Sequence, residues 1–288
     1  MSGPPPLSGG GDLGEVPYLR PHPGPAQFVR RAQRFGALAT GHTLGDFLEF
    51  CGRLSAAQAA ACETLAVPAE VGDLPAVRPL DPSASRRDDW IGALRTIAAE
   101  LESAPMPAPA REGLTRLAAL EREALVSLSG KILSGDHTGL DLAAAPFAGA
   151  ALQVQFTARA ARIPLSNVSR AARGCPLCGS APVAAVVLGD DKLRYLECSL
   201  CGSQWHVTRV TCSHCGSAAG VSYFSLEGDP GNVKAEACEA CKRYLKLFSL
   251  ERRPAAEPAA DDLATLALDM LVSEQGYARY GVNVFMPS

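Results

Sequence analysis

The sequence predicts an N-terminal α-helical bundle, two tandem four-cysteine metal modules built from short strands, and a C-terminal helix that returns to the bundle. Three observations carry this. From about Pro25 to Arg162, apolar residues recur at the spacing of a core-facing helix. Near Arg173 the composition shifts to runs rich in β-branched and aromatic residues. Eight of the ten cysteines then fall into four CxxC pairs between residues 175 and 241.

Residues 1–24 are rich in proline and glycine and read as a flexible arm. The first 25 residues have neither the basic start nor the apolar stretch of a secretory signal. The helical domain is expected over 25–172. Phe28, Phe35 and Leu38 line its first helix, and Leu44, Phe47, Cys51 and Leu54 the next. Ser55 followed by Gln58 matches a capping box opening a fresh Ala-rich helix to Leu65. Trp90, Ile91, Leu94, Ile97, Ala98 and Leu101 form another core-facing pattern. Leu114, Leu117, Leu125, Leu128 and Ile132 make a further stripe. Pro146 opens a helix that carries Phe147, Ala151, Leu152 and Phe156. Five or six helices around one core follow from this.

The first metal module is expected over 173–210 and the second over 211–250. Strand-like runs lie at 182–188, 192–198, 204–210, 221–226, 233–238 and 243–250, with turns at 189–191 and 228–232. The remainder, 251–288, reads as a linker and a helix capped by Asp261. Leu263, Leu266, Met270 and Leu271 would form its apolar face and Gly276 its end.

The cysteines carry the chemistry. In a CxxC knuckle the backbone turns so that both sulfurs reach one metal, and a residue able to take positive φ after the second cysteine eases that turn. Gly179, Gly202 and Gly216 stand there in three knuckles and Lys242 in the fourth. Two knuckles supply four thiolates, a set that suits zinc or iron. The first two knuckles are separated by 19 residues and the last two by 22, each gap holding an expected hairpin. This favours two sites: Cys175, Cys178, Cys198 and Cys201, then Cys212, Cys215, Cys238 and Cys241. Pairing the middle two knuckles instead leaves the outer two to close a longer loop. Spacing alone favours structural zinc over iron. A site whose ion is fully ligated by four cysteines has no open position for hydrolytic catalysis.

Other residues read more plainly. His206 and His214 flank knuckles whose ligand sets are already complete. His42 suits a turn or cap, Cys51 and Cys62 small buried apolar groups, and Asp136-His137 a solvated turn. No phosphate loop, dinucleotide fingerprint or nucleophile elbow is present. The net charge is −3, and residues 173–253 hold ten Lys or Arg against eight Asp or Glu, so the basic excess of a nucleic-acid binder is missing. No apolar run reaches the ~18 residues of a membrane span.

The segments GCPLCGSAPVAAVV, LRYLECSLCGSQWHVTRVTCSHCG and KAEACEACKRYLKLF resemble the FdhE family of formate dehydrogenase accessory proteins. The four knuckles in this order carry the likeness, together with Trp205 and Arg209 between the second and third and Tyr244 to Lys246 after the fourth. FVRRAQRFGALATGHTLGDFLEF and DDLATLALDMLVSEQGY are also similar to that family, so the resemblance spans about residues 18 to 285. It implies that the two modules are rubredoxin-like, that all eight knuckle cysteines are metal ligands, and that iron is favoured over zinc. It implies a cytoplasmic protein that is not an enzyme. Its function would be the assembly, maturation or quality control of respiratory formate dehydrogenase, and its partner the catalytic subunit, met before export, with no small-molecule substrate, no nucleic acid and no membrane. Two other readings of the cysteine modules stay open: a zinc-ribbon nucleic-acid or protein adaptor, and a rubredoxin-like electron-transfer protein. The client surface is expected where the modules meet the bundle, with Trp205, Arg209, Tyr223 and Tyr244 as candidate contacts.

Overall fold

The computed structural model describes residues 16–66, 74–82, 88–136, 138–189, 191–229 and 232–286. Asp190, Pro230 and Gly231 of the expected turns and His137 of the Asp136-His137 pair lie outside the described residues, as do residues 1–15 of the arm.

The bundle comprises α1 (Ala26–Ala39), α2 (Gly45–Thr64), α3 (Asp89–Leu101), α4 (Ala108–Ala118), α5 (Arg122–Ser134) and α6 (Ala145–Ala160). Phe28, Phe35, Leu48, Leu54, Trp90, Ile97, Phe147 and Phe156 are almost wholly buried at its centre. Burying each such side chain contributes roughly 1.5–3 kcal/mol. Ser55 opens no helix: it is buried mid-way along α2, and its hydroxyl donates to the Cys51 carbonyl one turn earlier (2.8 Å). The side chain that resembled half of a capping box is a backbone-bonded interior residue, because Gln58 turns instead to Ala150 O and Gln153 Oε1 on α6. The leucine stripe from Leu114 to Ile132 is two helices, α4 and α5, broken at residues 119–121.

The strands are β1 (Pro182–Leu188), β2 (Leu193–Cys198), β3 (Gln204–His206), β4 (Val221–Phe224), β5 (Val233–Cys238), β6 (Arg243–Ser249) and β7 (Ala278–Arg279). The two modules are not separate bodies. Their strands form one sheet in the order β3-β2-β1-β6-β5-β4, joined by parallel pairing of β1 with β6 (residues 185–187 beside 247–249). Arg194 of β2 bolts the halves together. It pairs with Glu236 of β5 at 2.6 Å with both side chains buried, and it also donates to Thr208 O, Thr211 O and Ser213 Oγ on the crossing between modules. That crossing ends β3 early, at His206 rather than residue 210. Tyr18, Leu19 and Arg20 lie along the outer edge of β3, with Arg20 N donating to Gln204 O and His206 N to Tyr18 O, so residues 16–24 are an ordered part of the fold.

The C-terminal segment makes two helices, α7 (Pro258–Leu263) and α8 (Leu266–Glu274). Glu257, not Asp261, caps α7, accepting from Ala260 N at 2.8 Å. Asp261 accepts in return from Glu257 N at 2.8 Å and also forms an ion pair with Arg34 of α1. α7 is buried along its length between α1 and the sheet, so it reaches the bundle as expected. α8 covers the sheet: Leu268 and Val272 pack with Val233, Ala235, Tyr244 and Phe248. The expected face is out of phase there, and Met270 points to solvent. No helix among the described residues is long and apolar enough to cross a membrane.

Candidate metal centres

All four knuckles adopt one conformation. The residue after the second cysteine has positive φ in each: Gly179 (82°), Gly202 (73°), Gly216 (78°) and Lys242 (54°). Its backbone N–H donates to the carbonyl of the first cysteine at 2.8, 3.3, 2.9 and 2.9 Å respectively. Lys242 therefore takes the left-handed geometry despite its side chain, at a cost of order 1 kcal/mol. The turn also aims N–H groups at sulfur. Leu177 N meets Cys175 Sγ and Leu200 N meets Cys198 Sγ, both at 3.4 Å, and Cys215 N meets Cys212 Sγ at 3.5 Å.

The hairpins bring the knuckles together in sequence order. Cys175, Cys178, Cys198 and Cys201 form one group and Cys212, Cys215, Cys238 and Cys241 the other, the sulfurs of each lying within 4.8 Å of one another. Closest contacts are 3.6 Å for Cys175–Cys201 and 3.4 Å for Cys178–Cys198 in the first group. In the second, Cys212–Cys241 and Cys215–Cys238 are both 3.7 Å. Four sulfurs bound at about 2.3 Å in a tetrahedron would stand about 3.8 Å apart, so both groups fit a tetrahedral zinc or iron ion and could hold two ions in all.

Electrostatics differ within each group. Burial pushes the Cys175 and Cys198 thiols well up. Burial acts on Cys178 too, but hydrogen bonds from its three partner cysteines and Ser180 outweigh it and hold that thiol well below the ordinary value. The Ser217 N–H lowers Cys215 to about 7, whereas burial raises Cys241 to about 12. Cys178 and Cys215 are thus held toward the thiolate, the form a metal requires.

The surroundings of the two groups differ more. The first lies inside the bundle's own core, continuous with Leu177, Leu200 and Trp205. Arg78 N donates to Pro176 O and Leu80 N to Leu177 O, both at 2.8 Å, clamping the first knuckle. Gln153 Nε2 donates to Ser199 O (2.6 Å), and Thr157 Oγ1 and His22 Nε2 both reach Cys201 O (3.4 and 2.6 Å), clamping the second. Sequence patterns did not single out His22, Gln27, Arg78, Arg194, Gln153 or Thr157. A lone polar residue on a helix or in a Pro-rich segment carries no sign of what it will meet. Among the described residues the second group has no clamp of this kind from the bundle. Its neighbours are Gly220 O, which accepts from Glu239 N, and Tyr280, whose ring meets His214 edge-on at 4.8 Å.

His206 packs against the Tyr195 ring and His214 against Tyr280, beside the cysteine groups rather than among the sulfurs. His42 accepts from Leu44 N ahead of α2 and also reaches Ala264 O, a capping role. Cys51 and Cys62 are buried, which raises both thiols. Trp205 and Tyr244 are buried and so are not available to a client. Tyr244 instead donates to Asp269 Oδ1 at 2.8 Å. Tyr223 is exposed.

Two clefts adjoin these elements. One of about 620 Å³ runs between α1, the first module and the segment before α7, lined by Arg20, Arg30, Arg34, Glu197 and Leu250 among others. Another of about 290 Å³ lies between the modules and reaches Cys212 and Cys215.

Comparison with known proteins covers nearly the whole chain. Family models match in unbroken succession: "FdhE, N-terminal" at residues 16–173, "FdhE, central domain" at 174–209 and "FdhE, C-terminal domain" at 210–286. A "Protein FdhE homolog" of Edwardsiella ictaluri is 40% identical over 273 residues, spanning 90% of this chain and 88% of that protein. "Protein FdhE" of Salmonella paratyphi A is 35% identical over 272 residues, spanning 90% and 87%. The crystal structure of the FdhE protein from Pseudomonas aeruginosa superposes with a TM-score of 0.86 at 34% identity, covering 94% of this chain and 99% of that one.

Proposed function

Because the chain belongs to the FdhE family, we propose that it is an accessory protein in the assembly and quality control of respiratory formate dehydrogenase. It binds the catalytic subunit in the cytoplasm before that subunit is exported, and it acts by binding, not as an enzyme. Cys175, Cys178, Cys198 and Cys201 ligate one metal ion and Cys212, Cys215, Cys238 and Cys241 a second, with iron favoured over zinc. The observation that carries this reading is the coverage: three family models span residues 16–286 in order. The chemistry agrees with it. Four thiolates complete a tetrahedral ion and leave no position for a substrate. A net charge of −3 also disfavours a nucleic-acid partner.

The client surface in this reading is the 620 Å³ cleft at the junction of bundle and sheet, where Arg30 is exposed. The test pairs two measurements on protein purified without air: iron and zinc per chain, and retention of this chain by a tagged formate dehydrogenase catalytic subunit. Two ions per chain and specific retention are expected, with retention weakened by Arg30→Glu at unchanged metal content. A chain with both ions that the subunit fails to retain refutes the partner. A chain with fewer than two ions refutes the ligand assignment.

A further inference from the structure

The two cysteine groups differ in what surrounds them, and that difference assigns them different tasks. The first is sealed: its four cysteines are between 0 and 3% exposed. Its knuckles are held by α6, His22 and the 78–80 segment through the contacts given above, and Gly202 is pressed so closely against Gln27 that an added Cβ would overlap Gln27 Oε1. A cavity between α3, α5 and α6 also reaches Cys178, yet that residue is only 1% exposed. In the second group Cys212 and Cys238 are buried, but Cys215 and Cys241 are only half-buried, and open space surrounds Gly216 in the third knuckle.

The cleft between the modules leads to this second group. Arg170, Arg173, His206 and His214 line it with the hydroxyls of Thr208 and Thr211, and Cys212 and Cys215 form one end. No carboxylate is among its described lining residues. Arg170 lies over the Tyr18 ring at 4.5 Å. Two guanidiniums without an opposing acid make the passage attractive to anions.

We propose that the second four-cysteine centre is a metal-exchange site that trades its ion with anionic, thiolate- or carboxylate-bearing ligands entering past Arg170 and Arg173, while the first is a permanent brace. The inference rests on the reading that both groups hold metal. The step is ligand substitution. Each incoming donor displaces one cysteine thiolate from the ion, the freed thiolate takes a proton from solvent, and no electrons are transferred. Exchange at the first centre requires the bundle interface to open, whereas exchange at the second requires only local opening of exposed knuckles.

The experiment uses the full chain loaded with zinc and shown to carry two ions. Zinc release to excess EDTA is followed with a colorimetric zinc indicator, and iodoacetamide labelling is mapped by mass spectrometry. Release should come in two phases of one ion each, the first at least about tenfold faster. Alkylation stopped after the fast phase should mark Cys212, Cys215, Cys238 and Cys241 and spare the other four. Arg170→Gln combined with Arg173→Gln should slow the fast phase with EDTA and leave it unchanged with the neutral chelator 1,10-phenanthroline. Simultaneous loss of both ions, or first labelling at Cys175, Cys178, Cys198 or Cys201, overturns the assignment. If the arginines serve only to offset thiolate charge, the double variant releases zinc faster to both chelators, and the anionic route is refuted. A chain that takes up fewer than two ions removes the metal reading itself, and the exchange role with it.

Discussion

Asp261 and Asp262 are adjacent in the chain, both fully buried in α7, and face opposite halves of the molecule. Asp261 accepts both hydrogen bonds of a bidentate pair from Arg34 of α1, at 2.8 and 2.6 Å. Asp262 pairs with Lys246 of β6 at 3.2 Å and with Arg279 of β7 at 2.5 Å. Arg31 and Glu257 add a second buried pair at 2.8 Å on the bundle side. α7 is thus the joint between bundle and sheet, tied by charge pairs to Arg31 and Arg34 far away in sequence and to Lys246 and Arg279 on the sheet.

Asp262→Asn should destabilise the chain by about 3 kcal/mol, since it leaves the buried Lys246, together with Arg279, to share the one remaining carboxylate, that of Asp269. Burial pushes the Asp262 carboxyl up, but Lys246 and Arg279 outweigh it and hold it below its ordinary value of 3.8. A depressed carboxyl stabilises the fold above its unfolded pKa and loses that contribution as pH falls through the folded one. Urea unfolding of both proteins should therefore show the full difference at pH 7 and a shrinking difference below about pH 4. A gap that stays constant down to pH 3 contradicts the ionised assignment.

Gly202→Ala and Gly216→Ala test the docking of the first centre. Both residues have φ above 70°, so both substitutions carry a backbone cost of ~1–3 kcal/mol. Only at Gly202 does the added methyl also meet Gln27. The Gly202 variant should melt at a clearly lower temperature than the Gly216 variant. Equal melting points would mean that Gln27 yields freely.

Losing either cysteine pair should lower bound metal from two ions to one, but with different structural consequences. Cys175→Ser with Cys178→Ser removes a centre embedded in the helical core, so thermal unfolding followed at 222 nm should shift down. Cys212→Ser with Cys215→Ser should leave the helical transition near its original temperature. Loss of both ions from the Cys212/Cys215 variant would show that the two centres are not independent.

Complete removal of metal should unfold the sheet before the bundle. Structural zinc contributes roughly 10–16 kcal/mol of folding free energy in small modules, as much as a whole domain's net stability of about 5–15 kcal/mol. Hydrogen exchange should lose protection across β4 and β5 first, with α1 and α2 retaining theirs. Unchanged protection in metal-free protein would show that the sheet's own core suffices.

Much of this protein was legible in local sequence. The knuckles, the hairpin between each pair and the six strand positions follow from CxxC spacing, turn residues and β-rich runs, because each is decided within about 25 residues of chain. The grouping of the eight cysteines follows for the same reason, since short loops close at least entropic cost. What decided the rest lies across long separations. Parallel pairing of β1 with β6 fuses two modules that repeat like independent units. The clamp of Gln153 and Thr157 on the second knuckle, and the opposite directions of Asp261 and Asp262, have no signature in spacing, because a buried polar residue and a surface one read alike until the partner is known. Periodicity reports that a face is covered without naming its cover, so Ser55 and Met270 took roles their neighbours in space assigned. CxxC spacing is enough to place the eight cysteines in two groups of four. That one group is sealed inside the bundle while the other keeps two half-buried cysteines follows from packing against distant elements, because such packing, not ligand spacing, controls access.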